Sequence, residues 1–297
     1  MKLDRDFQVP LSGRFGNQLF QLCAAIYLSK TRKIPMLLDA RGTRPRNILL
    51  LLQSGLVSRD ELILDLKQKI FISQFPFAWI FDSYVAVKSL IKYRLERRGF
   101  PKTILNIFSK NIFYIEDENW KLLDQINHTF FGYFQNSELV DFVWMELKFR
   151  FENSKLIPSA LRDSAKEVVI HVRLTDYFLH PEIGILSEQY YLDCLTDFAN
   201  HRLTVITDDE EGFKLHFPKL SNMSHIYVDS KNAFSSFSYM CNADILVIAN
   251  SSFSYWGGIF SLMRNDSAKI IAPENWRVDG KSNCILHQKF LLQPRDI

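Results

Sequence analysis

The polar residues of this chain that could do chemistry come in groups, each directly after an apolar run. The groups are, in chain order, His171, Arg173, Asp176 and Tyr177; then Asp208 and Asp209; then Asn250, Ser251, Ser252 and Ser254. An arginine is a planar, bidentate donor suited to a diphosphate. Hydroxyls at the start of a helix accompany backbone N–H groups that attract an anion. A carboxylate accepts two hydrogen bonds, so Asp208 or Asp209 could bind a ribose or a purine edge.

Each group also has a purely structural interpretation, and the residues alone leave both open. Arg173 could form a salt bridge with Asp176. The stretch NSSFS could be a plain helix cap. Asp208 and Asp209 could occupy a turn or the first position of a helix. Taken together, an arginine, a carboxylate and an anion-attracting turn indicate a nucleotide diphosphate site.

Familiar phosphate motifs are missing from the sequence. It contains no GxxxxGK[ST] and no GxGxxG, which disfavours a P-loop nucleotidase and a nicotinamide or flavin cofactor. No DxD triplet follows a strand, and the Asp208–Asp209 pair is weak evidence for a metal. We therefore expect no metal and no cofactor, with the phosphate charge neutralised by Arg173 and backbone N–H groups.

The elements that must position these groups are strands alternating with helices. Apolar runs predict strands at 168–172, 203–209, 224–229, 244–250 and 269–273, with helices at 187–199 and 234–243 between them. Such runs are typical of a parallel sheet covered on both faces. Ligands of these sheets bind at the carboxyl ends of the strands, where the polar groups lie.

The N-terminal part shows a second alternating pattern. A loop from Gly13 to Asn17 precedes a helix predicted at 18–32, and a short strand at 35–40 ends on Asp39. The polar stretch at about 150–165 predicts a boundary between two α/β domains, 1–157 and 158–297.

Composition excludes several classes of protein. The chain has 297 residues, 47% of them hydrophobic, which is enough for one large domain or two ordinary ones. A net charge of +3 is too small to favour nucleic acid. The first residues lack the apolar region of a signal peptide, and no apolar run reaches a membrane-spanning length. With its scattered cysteines, the chain is expected to be cytoplasmic.

Residues 66–102 mix aromatic side chains with many lysines and arginines. One interpretation is a basic, aromatic surface that touches the inner face of the plasma membrane or a lipid-linked substrate. The other is ordinary helices with solvated cationic faces. The sequence leaves both open.

Motifs along nearly the whole chain are similar to those of bacterial α-1,2-fucosyltransferases, glycosyltransferase family 11. The motifs are GRFGNQLFQ at 13–21, FFGYFQNSELV at 130–140, HVRLTDY at 171–177, ILSEQYYLDCL at 185–195, ITDD at 206–209, IANSSFSYWGG at 248–258 and IIAPENW at 270–276. Each is weak alone, whereas their common order and spacing are a strong signal.

The resemblance implies a GT-B-like fold, in which two Rossmann-like domains face each other across a cleft. The N-terminal domain would hold a glycan acceptor and the C-terminal domain the donor, GDP-fucose. Fucose would move with inversion and without a metal to a hydroxyl, such as O2 of a galactoside, of a surface glycan. Transfer from another GDP-6-deoxyhexose and a non-catalytic nucleotide-sugar or glycan-binding module remain as alternatives.

The resemblance also implies roles for individual residues. Arg173 would hold the β-phosphate with His171 beside it, Asp208 would help to place the guanosine, and Asn17 would lie near the diphosphate or the acceptor. The diphosphate would bind Asn250, Ser251, Ser252, Phe253 and Ser254. For the base that takes the acceptor proton, the candidates are Asp176, His180 and Glu182, and Asp176 could instead orient Arg173.

Leu174 departs from the family pattern, because a second arginine usually occupies this position. Loss of one cation at a transition state would cost on the order of 3 kcal/mol, about 10²-fold in rate. The sequence therefore leads us to expect that Leu174→Arg is tolerated or improves transfer.

Overall fold

A computed structural model describes residues 9–41, 43, 45–64, 112–124, 129–157, 167–223, 225–227, 232–280 and 283–295. The chain divides into two compact units, Met1–Val143 and Trp144–Ile297. We call them unit 1 and unit 2 and describe each by itself.

Unit 1 contains short parallel strands and long helices. Strands β1 (Val9–Pro10), β2 (Leu38–Asp39) and β3 (Leu62–Ile63) form one parallel sheet in that order. Strands β4 (Ile112–Tyr114) and β5 (Thr129–Phe131) form a parallel pair. The helices are α1 (Phe15–Arg32), α2 (Pro45–Ser54) and α3 (Ser137–Glu152). The helix predicted after the GRFGNQ loop is confirmed, and it starts three residues earlier than predicted, inside the motif itself.

Helix α1 provides the apolar centre of unit 1. Nearly all of its residues from Phe15 to Leu28 are buried, and the two polar residues Gln18 and Gln21 are buried with them. The helix ends at Arg32, where Lys33 takes a left-handed conformation and its N–H closes the last turn on the Ser29 carbonyl.

Unit 2 is built on one parallel sheet of six strands. Its strands are β6 (Glu167–Val172), β7 (Arg202–Thr207), β8 (His225–Tyr227), β9 (Ile245–Val247), β10 (Lys269–Pro273) and β11 (Leu291–Gln293). Their spatial order is β11-β10-β9-β6-β7-β8, and all neighbours run parallel. This is the doubly wound order of dinucleotide-binding domains, and its switch point lies between β6 and β9.

The helices of unit 2 follow the strands in the predicted alternation. They are α4 (Glu188–Cys194), α5 (Glu210–His216), α6 (Pro218–Met223), α7 (Ala233–Cys241) and α8 (Ser252–Arg264). Ser187 caps α4, because its side chain accepts a hydrogen bond from the Tyr190 N–H. That helix ends at Cys194, short of the predicted 199, and a 3₁₀ turn at Thr196–Phe198 completes the segment.

The predicted strands of unit 2 are confirmed, with shorter bounds for most of them. Strand β11 was not predicted, since it is an edge strand whose residues Leu291 and Leu292 are half exposed and show no alternation. The carboxyl ends of β6, β7 and β9 lie side by side in the sheet, so the polar groups that follow them share one edge.

The predicted α/β class is confirmed by the parallel sheets and their helices, and two α/β units agree with a GT-B-like fold. The division at Val143 falls within α3, whereas the predicted boundary at 157/158 falls just after this helix. The cleft between the domains and their acceptor and donor roles stay predictions. The basic aromatic segment 66–102 lies outside the described residues.

Candidate functional site

Arg173 follows β6 and is fixed by two carboxylates. Its Nη2 lies 2.5 Å from Oδ1 of Asp176, and its Nη1 lies 2.7 Å from Oδ2 of Asp208. The guanidinium carbon lies 5.8 Å from the centre of the Tyr177 ring. A guanidinium has five N–H donors, and these two ion pairs leave donors for a further anion. The structural interpretation of Asp176 as a partner of Arg173 is therefore confirmed, and Arg173 is held in one orientation.

Asp208 follows β7 and ties the two strand ends together. Besides its ion pair with Arg173, it accepts a hydrogen bond of 2.9 Å from the Leu174 N–H and another from the Thr175 hydroxyl. Both carboxylate oxygens are thus used within the protein. This geometry fits a residue that orients Arg173 better than one that holds a guanosine.

Leu174 faces away from the site. Its side chain is fully buried in the core cluster of unit 2, together with Tyr190 and Tyr191. The reason is the alternation of an extended chain, because Val172 and Leu174 point to one face and His171 and Arg173 to the other. This burial argues against the expectation that an arginine at position 174 would be tolerated or improve transfer.

His171 is buried beside the start of α8. Its ring centre lies 5.8 Å from that of Phe253, and its Nδ1 makes no hydrogen bond to any described residue. Burial, aided by the charge of Arg173 and opposed by that of Asp208, lowers the pKa of His171 to about 4. The imidazole is therefore neutral at neutral pH, and one of its ring nitrogens can donate a hydrogen bond.

The turn between β9 and α8 is held by its own side chains. Ser251 caps the helix, because its Oγ accepts a hydrogen bond from the Phe253 N–H. Ser254 is fully buried and its hydroxyl donates to the carbonyls of Ala249 and Ser251. Ser251 is nearly buried, whereas Ser252 and Phe253 are half-buried. The first-turn N–H groups of α8 carry the partial positive charge of a helix N-terminus.

Asn250 uses its side chain to connect loops. Its Nδ2 donates to the carbonyls of Ile183, Gly184 and Trp276 at 3.0 to 3.2 Å. Arg295, a buried residue that no sequence pattern singled out, donates to the carbonyl of Ile183 as well. The side chain of Asn250 is thus structural here, and so is that of Ser254. Of the five residues predicted to bind the diphosphate, Ser251, Ser252 and Phe253 remain as candidates, together with the backbone of the turn.

The structure also gives the positions of the remaining predicted residues of unit 2, which are His180, Glu182, Asp209 and Tyr177. Nδ1 of His180 lies 3.4 Å from Oε1 of Glu182, and both residues are partly exposed at the end of the 3₁₀ turn after β6. Asp209 is the cap of α5, since its Oδ1 accepts a hydrogen bond of 3.0 Å from the Gly212 N–H. The hydroxyl of Tyr177 donates to the Asn250 carbonyl, and burial raises its pKa to about 12.

Unit 1 carries a second polar cluster, formed by Asn17, Gln135 and Asp117. The Gln135 Nε2 donates to Oδ1 of Asn17 at 2.8 Å, and the Gln135 N–H donates to Oδ1 of Asp117 at 2.9 Å. These residues follow β1, β5 and β4 in turn, and all of them are partly exposed. Asp117 was not selected from the sequence, although it lies two residues after the apolar run IFYI at 112–115, which was a usable signal.

The turn that carries Gln135 is strained and tightly packed. Phe134 has a φ of +56°, which is unfavourable for a bulky residue, and its ring is fully buried. A Cβ at Gly132 would lie 2.6 Å from the Ile115 carbonyl oxygen and 2.9 Å from the Phe134 ring, so only glycine fits there. Gln21 of α1 donates to the Gly132 carbonyl at 2.9 Å. The GRFGNQ and GYFQ motifs therefore meet.

Burial raises the pKa of Asp117 to about 6, although the N–H groups of Gln135 and Phe134 act in the opposite direction. The neighbouring carboxylates of Glu116 and Glu118 also raise it.

The described residues contain no group of three or more histidine, cysteine, aspartate or glutamate side chains arranged to hold a metal ion. They also contain no helix with the length and apolar character needed to cross a membrane.

The chain is similar to two curated glycosyltransferases of Escherichia coli. It is 27% identical over 287 residues to an alpha-1,2-colitosyltransferase, covering 90% of each chain. It is 22% identical over 307 residues to the O-antigen biosynthesis glycosyltransferase WbnK, covering 90% of this chain and 93% of that protein. The resemblance identified from the motifs is therefore confirmed over nearly the whole chain.

Other comparisons add less. No model of a known protein family matches the chain. Among solved structures, the E. coli heptosyltransferase WaaC with ADP aligns with a TM-score of 0.45 at 10% identity, over 96% of this chain and 92% of that one.

Proposed function

We propose that this glycosyltransferase moves a deoxyhexose from a GDP-linked donor to a hydroxyl of a surface glycan, with inversion and without a metal. The observation that carries the proposal is the convergence of Arg173, His171 and the start of α8 at the switch point of the unit 2 sheet. A doubly wound sheet binds nucleotides at this place.

The likenesses to known proteins support two donor sugars. The motifs resemble those of fucosyltransferases, which favours GDP-fucose. The similarity to a colitosyltransferase favours another GDP-linked deoxyhexose, namely GDP-colitose. WbnK, a glycosyltransferase of O-antigen biosynthesis, supports a surface polysaccharide as the acceptor.

The chemistry follows from where charge develops. The acceptor oxygen attacks the anomeric carbon from the face opposite the diphosphate, and the bond to the β-phosphate oxygen breaks with both electrons going to that oxygen. Arg173 would stabilise this charge through its remaining N–H donors, and the first turn of α8 would add its partial positive charge. His171 would donate one hydrogen bond as a neutral imidazole. Asp176 and Asp208 would keep the guanidinium in place, so that no reorientation is needed during the reaction.

Replacing Arg173 by alanine tests the site. We expect Arg173→Ala to reduce kcat/KM for the GDP-sugar by about 10²-fold or more, because one charge contact at a transition state contributes about 3 kcal/mol. Release of GDP in the presence of an acceptor array measures this. Lys214→Ala is the matched control, since Lys214 is an exposed cation of the same unit that forms an ion pair with Glu210 on the surface of α5. A fully active Arg173→Ala enzyme would contradict the site.

A donor panel distinguishes the candidate functions. GDP-fucose and GDP-colitose are each incubated with β-galactoside and O-antigen acceptors, with EDTA present. Transfer from one donor identifies the sugar, and transfer that requires added metal contradicts the metal-free mechanism. Calorimetry that shows a GDP-sugar bound but never consumed would instead favour a non-catalytic binding module.

A further inference from the structure

We propose that the buried guanidinium of Arg295 supplies positive charge that the donor diphosphate needs, and that it acts on the diphosphate through space from a fixed position. This inference rests on the proposed function and deepens it, since it concerns how the same site in unit 2 attracts a nucleoside diphosphate. Arg295 follows β11, which ends at Gln293, so it lies at the carboxyl edge of the unit 2 sheet, where ligands bind.

The side chains around Arg173 carry too little positive charge for a diphosphate. Asp176 and Asp208 both pair with Arg173, so two carboxylates face one guanidinium. His171 adds no charge at neutral pH, because burial lowers its pKa to about 4. The N-terminus of α8 supplies only about half an elementary charge, which does not offset the excess carboxylate. A diphosphate brought among these groups is repelled unless further positive charge lies nearby.

Arg295 is a buried cation whose hydrogen-bond partners are all carbonyls. Only 8% of the residue is exposed. Its Nη1 donates to the carbonyls of Ile183 and Asn275 at 3.3 and 3.2 Å, and its Nη2 donates to that of Ile183 at 3.3 Å. It forms no ion pair with any described residue, and its Nε makes no hydrogen bond to one. Burial lowers the pKa of Arg295, although Tyr190 and Tyr191 act in the opposite direction, and an arginine keeps its proton in proteins.

A buried charge without a counter-charge lowers the stability of the folded protein. Proteins depart from good packing and pairing mainly at functional sites. An anion bound at the same edge of the sheet would supply the counter-charge that Arg295 lacks. Its burial without a carboxylate is therefore explained by a bound diphosphate.

Asn250 connects Arg295 to the turn proposed to bind the diphosphate. The Nδ2 of Asn250 donates at 3.0 Å to the Ile183 carbonyl, the same oxygen that accepts from Arg295. Asn250 directly precedes Ser251, the cap of α8. Gly184 makes room for the guanidinium, since a Cβ there would lie 2.8 Å from Nη2 of Arg295. Arg295 is thus held beside the diphosphate turn, in an interior where charges act strongly on each other.

Arg295→Met tests the charge, because methionine is apolar, unbranched and able to fill the space of the side chain. We expect the Kd for GDP to rise by about 10-fold or more, since one charge near a diphosphate acts over several ångströms in a protein interior. Guanosine has no phosphate and should bind within about twofold of the wild type. Arg295→Lys keeps the charge and should bind GDP within about threefold of the wild type. Calorimetry measures GDP binding, and competition with GDP measures guanosine binding.

Thermal unfolding without nucleotide separates this role from a structural one. The Ile183 carbonyl keeps its donor from Asn250 in Arg295→Met. Replacing an unneutralised buried charge by an apolar side chain is often neutral or stabilising. We therefore expect Arg295→Met to melt at the same or a higher temperature than the wild type. If Arg295 only held the loops in place, the variant would melt at a lower temperature, and GDP and guanosine would lose affinity together.

The matched control is Arg264→Met, which makes the same change at the last residue of α8. Arg264 is also largely buried, but it pairs with Asp244 at 2.6 Å, at the amino edge of the sheet before β9. This variant should lose stability, because the Asp244 carboxylate loses its cation, and should bind GDP within about twofold of the wild type.

The inference is overturned if Arg295→Met binds GDP within about threefold of the wild type, if it loses guanosine affinity by the same factor, or if it fails to fold. If the wild-type protein binds no GDP, the proposed function fails and this inference fails with it. A failure of the inference alone leaves GDP binding and sugar transfer by the wild type intact.

Discussion

Leu174 occupies a position where the family usually has a second arginine, but its side chain points into the core and away from Arg173. The site residues His171 and Arg173 point to one face of the extended chain, and Leu174 continues the buried face of Val172. A charged residue at position 174 would lose its water without gaining a partner, a costly change in any core.

We therefore predict that Leu174→Arg destabilises the protein by at least about 3 kcal/mol, whereas Leu174→Met costs less than about 1.5 kcal/mol. Urea unfolding of both variants measures the difference. An arginine variant as stable as the wild type would mean that the side chain escapes to the Arg173 face.

His171 carries the second prediction at this scale. Its folded pKa of about 4 lies below the ordinary 6.5, so the unfolded chain binds the proton more tightly. The stability from neutral His171 is then fully present above pH 6.5 and is lost as pH falls toward about 4.

We expect His171→Gln to flatten the decline in unfolding free energy between about pH 6.5 and 4. Denaturant titrations at several pH values provide the measurement. His216→Gln, at an exposed histidine of α5, is the control and should leave the wild-type slope. An unchanged slope in His171→Gln would show that folding does not lower the pKa of His171.

At the scale of elements, helix α8 depends on close packing behind its first turn. A Cβ at Gly257 would lie 2.8 Å from the Met240 Cβ of α7, and one at Gly258 would lie 2.7 Å from Ile270 of β10. These close approaches allow α8 to lie against both a helix and a strand.

We predict that Gly257→Ala and Gly258→Ala each lower stability by about 1–3 kcal/mol, although alanine favours helices by about 1 kcal/mol over glycine. Shifts in melting temperature and in GDP affinity measure the effect. If either variant gained stability, the packing distances at α8 would have to be wrong.

At the scale of the whole molecule, the two units carry different chemistry. Unit 2 holds the arginine, the helix N-terminus and the neutral histidine, whereas unit 1 holds amides and a carboxylate. The net charge of +3, spread over 297 residues, does not determine which unit binds the GDP-sugar. We expect the charged and polar side chains of each unit to determine it.

This assignment predicts where GDP protects the backbone from hydrogen exchange. With GDP bound, peptides that cover 171–178 and 248–256 should exchange more slowly, and peptides that cover 12–22 and 129–136 should change less. Mass spectrometry of peptic peptides provides the measurement. Protection confined to the unit 1 peptides would contradict the proposed function, which places the nucleotide in unit 2.

The fold class of unit 2 and the edge of its sheet that carries the polar groups can be predicted from the sequence. Apolar runs and the polar groups that end them indicate a doubly wound sheet and its ligand edge, because hydrogen bonding and burial act locally along each strand. Even the orientation of Leu174 follows from the period of two that begins in β6. The short edge strand β11 escapes such an argument, since its half-exposed residues have no alternation.

Only the tertiary structure decides which polar atoms remain for a ligand. Asn250 and Ser254 look like anion ligands in the sequence, but carbonyls of Gly184 and Ala249 already occupy their donors. Burial raises the pKa of Asp117, and Gln135 connects this residue to Asn17. Apart from the local bond between Ser254 and Ala249, these contacts join residues distant in the chain. Their geometry depends on how whole elements pack, which no local pattern encodes.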